Sequence, residues 1–293
     1  MENKIKLAIQ GGEKVYQSIS IEKVSKVAKE QGIEFLQLWY LGPYHNIPED
    51  GVSEVQEILE KYKLGVSAVS SWTRLNLPGD VGPAQRIIMK TMDLAQRLDT
   101  RFIATYFGPN RFRDEKTAIE TYQKNIAPCL EKAARMGVTV LMENEFDHLN
   151  EDPTQSDVTR TAEGILNLIE TVDSPYFKIT FDPANFYYAG GEPYPYAYEL
   201  LKDHIAYVHL KDVRSYSERL MQEKKYYVFS DGARAKYLSV PLGEGAINYE
   251  ALLQRMQEDG YDGFFVIEPM CLDEQYGEFY KKAVDYLRGK GIH

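Results

Sequence analysis

Cysteine is scarce in this chain. Of 293 residues only Cys129 and Cys271 are cysteines, far apart and outside any CxxC or finger-like spacing. That excludes a disulfide scaffold and a thiolate-held metal cluster, and it fits a reducing compartment. No uninterrupted apolar run reaches the ~18 residues that a membrane span needs, and the opening MENKIKLAIQGG has too short an apolar stretch for a signal peptide. Positive charge is in deficit: 34 Lys and Arg against 44 Asp and Glu leave a formal charge of -10, which repels nucleic-acid backbones and anionic membranes. Long low-complexity linkers are absent, as is a GxGxxG after the first strand-like run, which argues against an open nucleotide-binding sheet. The chain, 44% apolar and 27% charged, therefore reads as a soluble cytoplasmic protein with a large core.

Short apolar runs alternate with longer segments in which apolar residues return every three or four positions, the pattern of repeated βα units. The runs are KLAIQ from Lys6, FLQLWY from Phe35, GVSAVS from Gly65, FIATYF from Phe102, VTVLME from Val138, KITFD from Lys178, AYVHL from Ala206 and FFVIEP from Phe264. Eight such units predict a single (β/α)8 TIM barrel, an α/β fold of one domain over residues 1–293. One excursion interrupts the pattern, from Val213 to Ile247, where KKYYVFSDGARAKYLSV reads as a hairpin with an SDGA turn between strands seven and eight. It is expected to overhang one mouth of the barrel.

Barrel chemistry collects where the strands end. The fifth run ends in Glu143-Asn144-Glu145, the sixth in Asp182, the seventh in His209 and the eighth in Glu268. Taken singly, each has a structural role available: Glu143 or Asp182 as a cap, His209 as a hydrogen-bonded wall residue, Glu268-Pro269 as a strand end. At four consecutive strand ends they form a constellation. Three carboxylates converging on one mouth repel, since like charges ~4 Å apart cost on the order of 4 kcal/mol at an effective dielectric near 20. One divalent cation removes that cost. The oxygen-rich donor set with a single nitrogen suits Mn²⁺ first, with Mg²⁺, Co²⁺ or Zn²⁺ as alternatives. Glu145 keeps the phase of Glu143 along its strand and is the rival ligand.

Around this centre, Lys211 either adds positive charge beside a developing oxyanion or forms a salt bridge with Asp212. Trp39 near the end of the second run, Trp72 after the third and Phe107 at the end of the fourth are candidate walls for a sugar's C–H face, with core packing the competing role. Arg111 and Arg113 either grip a phosphate or lie in solvent. The Tyr- and Pro-rich NFYYAGGEPYPYAYEL, from Asn185, reads as a loop serving as a lid or a subunit contact, which leaves a homo-oligomer open.

The stretches MENE, FDPANF, YVHLKD, PLGEG and GYDGFFVIEP, in that order, resemble the sugar phosphate isomerase/epimerase family with a xylose isomerase-like barrel. The likeness runs over most of the chain and is strongest from Val138 to Pro269. It implies a metal quartet on Glu143, Asp182, His209 and Glu268, and, as in the ketose 3-epimerase branch, an acid/base pair on Glu143 and Glu268. Asn185 stands where some members place a substrate-contacting histidine, so the resemblance does not carry their particular sugar across. The implied activity is a divalent-metal-dependent isomerase or epimerase that takes a proton from carbon beside the carbonyl of a ketose or polyol ketone, through an enediolate. The alternatives are a dehydratase or lyase of inosose or dehydroshikimate type and a non-catalytic sugar-binding barrel. The apurinic-site endonuclease branch is disfavoured by five histidines in all and the net charge of -10.

Overall fold

The computed structural model describes residues 5–10, 20–41, 47–48, 51–76, 79–108, 110, 112, 114–147, 155–232 and 234–293; Arg111 and Arg113 lie outside that set. In chain order the strands are β1 (Lys6–Gln10), β2 (Phe35–Leu41), β3 (Gly65–Ser71), β4 (Phe102–Thr105), β5 (Thr139–Glu143), β6 (Phe177–Phe181) and β7 (Ile205–Leu210). Then come β8 (Asp212–Ser215), β9 (Tyr227–Asp231), β10 (Ala235–Val240) and β11 (Phe264–Ile267). Strands β1 to β7 and β11 are parallel and close into a barrel in the order β1-β11-β7-β6-β5-β4-β3-β2. This is the TIM barrel that the eight apolar runs predict.

The helices are α1 (Ile21–Glu30), α2 (Val52–Tyr62), α3 (Val81–Arg97), α4 (Glu115–Met136), α5 (Ala162–Val172), α6 (Pro183–Tyr188), α7 (Tyr198–Leu201), α8 (Glu218–Glu223), α9 (Tyr249–Glu258) and α10 (Tyr276–Gly289). Local chemistry starts them. Side chains of Ser20, Asp114, Thr161 and Asn248 accept the orphan N–H groups of the first turns of α1, α4, α5 and α9. Their apolar stripes, such as Ile88, Met92 and Ala95 of α3, are buried in the shell between the helices and the outside of the barrel.

Inside the barrel a second, separate core fills the lower half, where the strands begin. Ala8, Ala68, Ala104, Leu141 and Val266 pack with Phe102 and Tyr207, flanked by Phe35 and Phe264. On most of these strands the next inward position is polar (Gln10, Gln37, Ser70, Glu143, His209, Glu268), with Tyr106 after β4 the aromatic exception, and this switch produces the site described below.

The excursion after β7 differs from the hairpin expected. It is a three-stranded antiparallel sheet, order β8-β10-β9, because Asp212–Ser215 joins the predicted pair as a third strand. The sheet is fastened rather than free. Phe146, Tyr188, Phe229 and Tyr237 form a continuous aromatic cluster with ring centroids 4.6 to 6.0 Å apart, tying the sheet to the segment after β5 and to α6. Beside it Arg160 pairs with Asp147 and, at 3.0 Å, with Asp231, while Arg234 reaches Asp147 at 3.1 Å. The Tyr/Pro-rich segment read as a loop contains α6 and α7; Tyr187 and Tyr188 are packed against Tyr237, and only Tyr196 of its tyrosines is strongly exposed.

Asp212, considered above as a salt-bridge partner for Lys211, does other work. Its carboxylate accepts the N–H groups of Val213, Gly243 and Gly245 at 2.8 to 2.9 Å. This explains the GEG motif: a Cβ on Gly245 would lie 1.8 Å from Asp212 Oδ1, and Gly243 sits at φ +86°. Burial pushes the Asp212 carboxyl up to about 6, with the amide donors pulling the other way.

Among the described residues no helix is long and apolar enough to cross a membrane.

Candidate metal centre

At the upper mouth Glu143, Asp182, His209 and Glu268 are all buried, and one donor atom from each lies within 4.8 Å of the others. Four strand ends thus bring their side chains to a common point. Strand pairing sets the height: Val266 is in register with His209, and Glu143 with Thr180, so Glu268 and Asp182, two residues on from Val266 and Thr180, emerge one step above. Glu145 does not belong to this group. It stands half-buried at the mouth, its carboxyl raised well above the usual range by burial and by the Glu143 charge, with Lys211 opposing.

The His209 ring is fixed at both nitrogens. Nδ1 lies 2.9 Å from both Glu143 Oε1 and Glu268 Oε2. Nε2 lies 2.8 Å from Gln37 Oε1, and the Gln37 amide nitrogen donates to Ser70 Oγ at 2.7 Å. Gln37 therefore accepts from Nε2–H, which leaves Nδ1 as the nitrogen turned to the carboxylates. Burial alone would depress the imidazole, but the charges of Glu143 and Glu268 prevail and hold it well above its ordinary value. Gln37 and Ser70 were missed in the sequence; a glutamine inside the apolar run FLQLWY was the available signal.

Asp182 reconciles its two possible roles. Oδ1 accepts the N–H groups of Ala184 and Asn185 at 2.8 and 3.0 Å and caps α6, with Pro183 as the first helical residue. Oδ2 is turned to the quartet. Burial raises this carboxyl to about 7, Lys211 opposing and Glu143 and Glu268 adding to the rise. Asn144 ties the ends of β5 and β6 together: its amide donates to Asp182 O at 2.9 Å and its carbonyl accepts Asp182 N–H at 2.8 Å.

Asn185 supports the centre from the side. Its amide nitrogen donates to Glu143 Oε1 at 3.2 Å and to Asn144 O at 2.9 Å, while its Oδ1 has no partner among the described residues. A substrate role is left only to that oxygen. Lys211 is buried and stands against Asp182 and Glu268 rather than beside Asp212.

The aromatic positions divide. Trp39 and Trp72 flank Tyr106 in a stack, ring centroids 5.7 and 4.9 Å apart, on the β2 to β4 side of the mouth. Trp72 is half-buried, whereas Trp39 and Tyr106 are nearly inaccessible. Phe107, expected as a wall of the site, is instead a core residue stacked on Tyr122 of α4 at 5.1 Å. It directly follows the inward-facing Tyr106, and the alternation along an extended chain turns it outward.

The donor set fits a divalent cation. Three carboxylates and an imidazole converge without enough positive charge to balance them, and Glu143 Oε2 is buried with no hydrogen-bond partner among the described residues.

A family model described as xylose isomerase-like TIM barrel matches residues 25–290. The chain is 24% identical over 246 residues to a 3-dehydroshikimate dehydratase of Bacillus anthracis, covering 83% of this chain and 84% of that protein. It is 32% identical over 112 residues to an inosose dehydratase of Clostridium botulinum (strain Eklund 17B / Type B), a match spanning 37% of this chain and only 36% of that relative. Among solved structures, a probable 3-DHS dehydratase involved in petrobactin synthesis from Bacillus anthracis aligns with a TM-score of 0.73 at 22% identity, over 97% of this chain and 99% of that one. A structure of IOLI protein with a binding zinc atom aligns with a TM-score of 0.72 at 14% identity, over 98% and 96%. At such identities the structural likenesses speak to fold.

Proposed function

The chain belongs to the xylose isomerase-like TIM barrel family, and from that premise we propose that it is a metal-dependent dehydratase, a lyase that removes water from a small polyhydroxylated ketone. The observation that carries the reading is the buried convergence of Glu143, Asp182, His209 and Glu268. The dehydratase names of the two relatives described above favour elimination over the isomerase or epimerase chemistry that the strand-end motifs suggest.

These four side chains would hold a divalent ion; when bound, it supplies Lewis-acid polarisation of a carbonyl. The protein's own groups carry the proton. A carboxylate of the Glu143 and Glu268 pair takes it from carbon next to the carbonyl; the electron pair forms a C=C bond as the β C–O bond breaks, and the departing hydroxyl takes a proton from the carboxyl group of the pair and leaves as water. His209, anchored by Gln37, keeps the centre in one geometry, and Asn185 does the same for Glu143. Trp72, backed by the buried Tyr106 and Trp39, offers the half-exposed apolar face at the mouth against which the C–H face of the substrate packs.

Metal analysis of the purified protein, joined to a proton NMR screen of keto-inositols, 3-dehydroshikimate and free and phosphorylated ketoses in D₂O, tests this. The expected result is loss of water with a new vinylic or aromatic proton signal. Formation of an epimer without dehydration would return the protein to the epimerase reading, and no exchange of carbon-bound hydrogen with any substrate would argue against catalysis altogether.

A further inference from the structure

Lys211 touches the same oxygen atoms that an added cation would need. Its Nζ lies 2.7 Å from Asp182 Oδ2 and 3.2 Å from Glu268 Oε2. Asp182 has no other oxygen to offer, since Oδ1 is committed to the N–H groups of Ala184 and Asn185. Glu268 Oε2 is also the atom that meets His209 Nδ1 at 2.9 Å. An ammonium and a divalent ion sharing these atoms would repel one another strongly at such short range.

The charge balance sharpens the point. Glu143, Asp182 and Glu268 can carry three negative charges, which a divalent ion and one ammonium together cancel. Lys211 is thus useful to the loaded centre nearby, but not on Asp182 Oδ2. Its contact there is an ion pair only, because the oxygen gains no aligned hydrogen bond from it. The backbone at this position is held, with the Tyr249 hydroxyl donating to Lys211 O at 2.6 Å. The flexible four-carbon stem is therefore the part able to move.

We propose that Lys211 is a resident counter-ion that a divalent metal ion displaces from Asp182 Oδ2 and Glu268 Oε2, so that its ammonium faces the mouth, and a developing oxyanion there, only in the metal-loaded protein. Metal binding and the presentation of the substrate-facing cation are then one event. This rests on the metal-binding reading above.

The test compares metal-stripped and Mn²⁺-loaded wild-type protein by brief acetylation with an N-hydroxysuccinimide ester, the Lys211 peptide being quantified by mass spectrometry. Labelling is expected to rise several-fold on loading; unchanged or reduced labelling overturns the proposal. Calorimetry gives a second, independent arm: Lys211→Met is expected to bind Mn²⁺ about tenfold more tightly than wild type, and equal or weaker binding overturns the proposal. Because the labelling arm uses the wild-type chain, it stands even where the variant folds poorly. If wild type shows no binding heat with Mn²⁺ or Zn²⁺, the metal-binding reading falls and the proposal with it; if metal binds while Lys211 stays protected, the proposal alone falls.

Discussion

The two ends of the barrel are made by the same strands and have opposite chemistry. At the lower end Phe35, Phe102, Tyr207 and Phe264 meet with ring centroids 5.2 to 6.4 Å apart, and the cations there, Lys6 and Arg101, lie over ring faces. Two or four residues further on, β2, β7 and the end of β11 deliver Gln37, His209 and Glu268. The Tyr207 ring lies 5.8 Å from the His209 ring and joins the two layers. The aromatic floor excludes water from below, and in that low-dielectric setting the charges above it act on one another with full force. One end supplies stability, and the other spends part of it on buried carboxylates.

This contrast can be broken at either end. The largest effect is expected from His209→Ala, which removes the only nitrogen donor of the quartet: several kcal/mol of catalytic stabilisation should go, about a thousandfold or more in turnover, with loss of bound metal by elemental analysis. A variant that keeps its metal and most of its activity would refute the quartet. Phe102→Ala, at the floor, should cost about 3–5 kcal/mol of stability in denaturant titration. Metal affinity of whatever remains folded should stay near wild type, and a parallel collapse of affinity would show that the ends are not separable. Gln37→Leu leaves every quartet residue in place but frees Nε2; metal affinity should weaken about 10- to 100-fold with little change in thermal midpoint. An unchanged affinity would mean that Gln37 does not orient the ring.

A further test concerns pH. Asp157, buried beside the mouth, has its carboxyl pushed up to about 7 by burial, against the pull of hydrogen bonds from Thr159. Since its folded value lies above the unfolded one, its contribution is fully present below about 4 and is lost as pH rises through about 7. Asp157→Asn does not titrate, so its stability relative to wild type should grow as pH rises from about 4 to about 7, by up to about 4 kcal/mol, and level off above. A difference independent of pH would contradict the shifted carboxyl.

Much of this organisation was legible in the sequence because it is local. Apolar runs ending in a charged residue mark both a barrel strand and its chemical end, and the observed strands fall within one residue of those runs, apart from FIATYF and FFVIEP, whose last two residues lie beyond the strand. The four side chains that converge are the four read from strand ends. What escaped depends on closure of the barrel. Gln37 and His209 are 172 positions apart, and their bond exists only because β2 and β7 face each other across the interior. Along the chain Lys211 has Asp212 as its nearest partner, yet folding hands it to Asp182 and Glu268, and gives Asp212 to the amides of Gly243 and Gly245. The place of Phe107 in the chain puts it at the rim, but alternation sends it to α4. The third strand of the side sheet was hidden because DVRS is too short and too polar to announce itself.

The clasp of Asp212 on Gly243 and Gly245 joins the start of the excursion to its end, and Val240 pairs with Asp212 just beside it. A segment whose two ends meet behaves as a cassette: its length can change at a loop-closure cost that grows only logarithmically, while the barrel beneath keeps its register. Lineages sharing this barrel could therefore trade the side sheet without rebuilding the layer that carries Glu143, Asp182, His209 and Glu268.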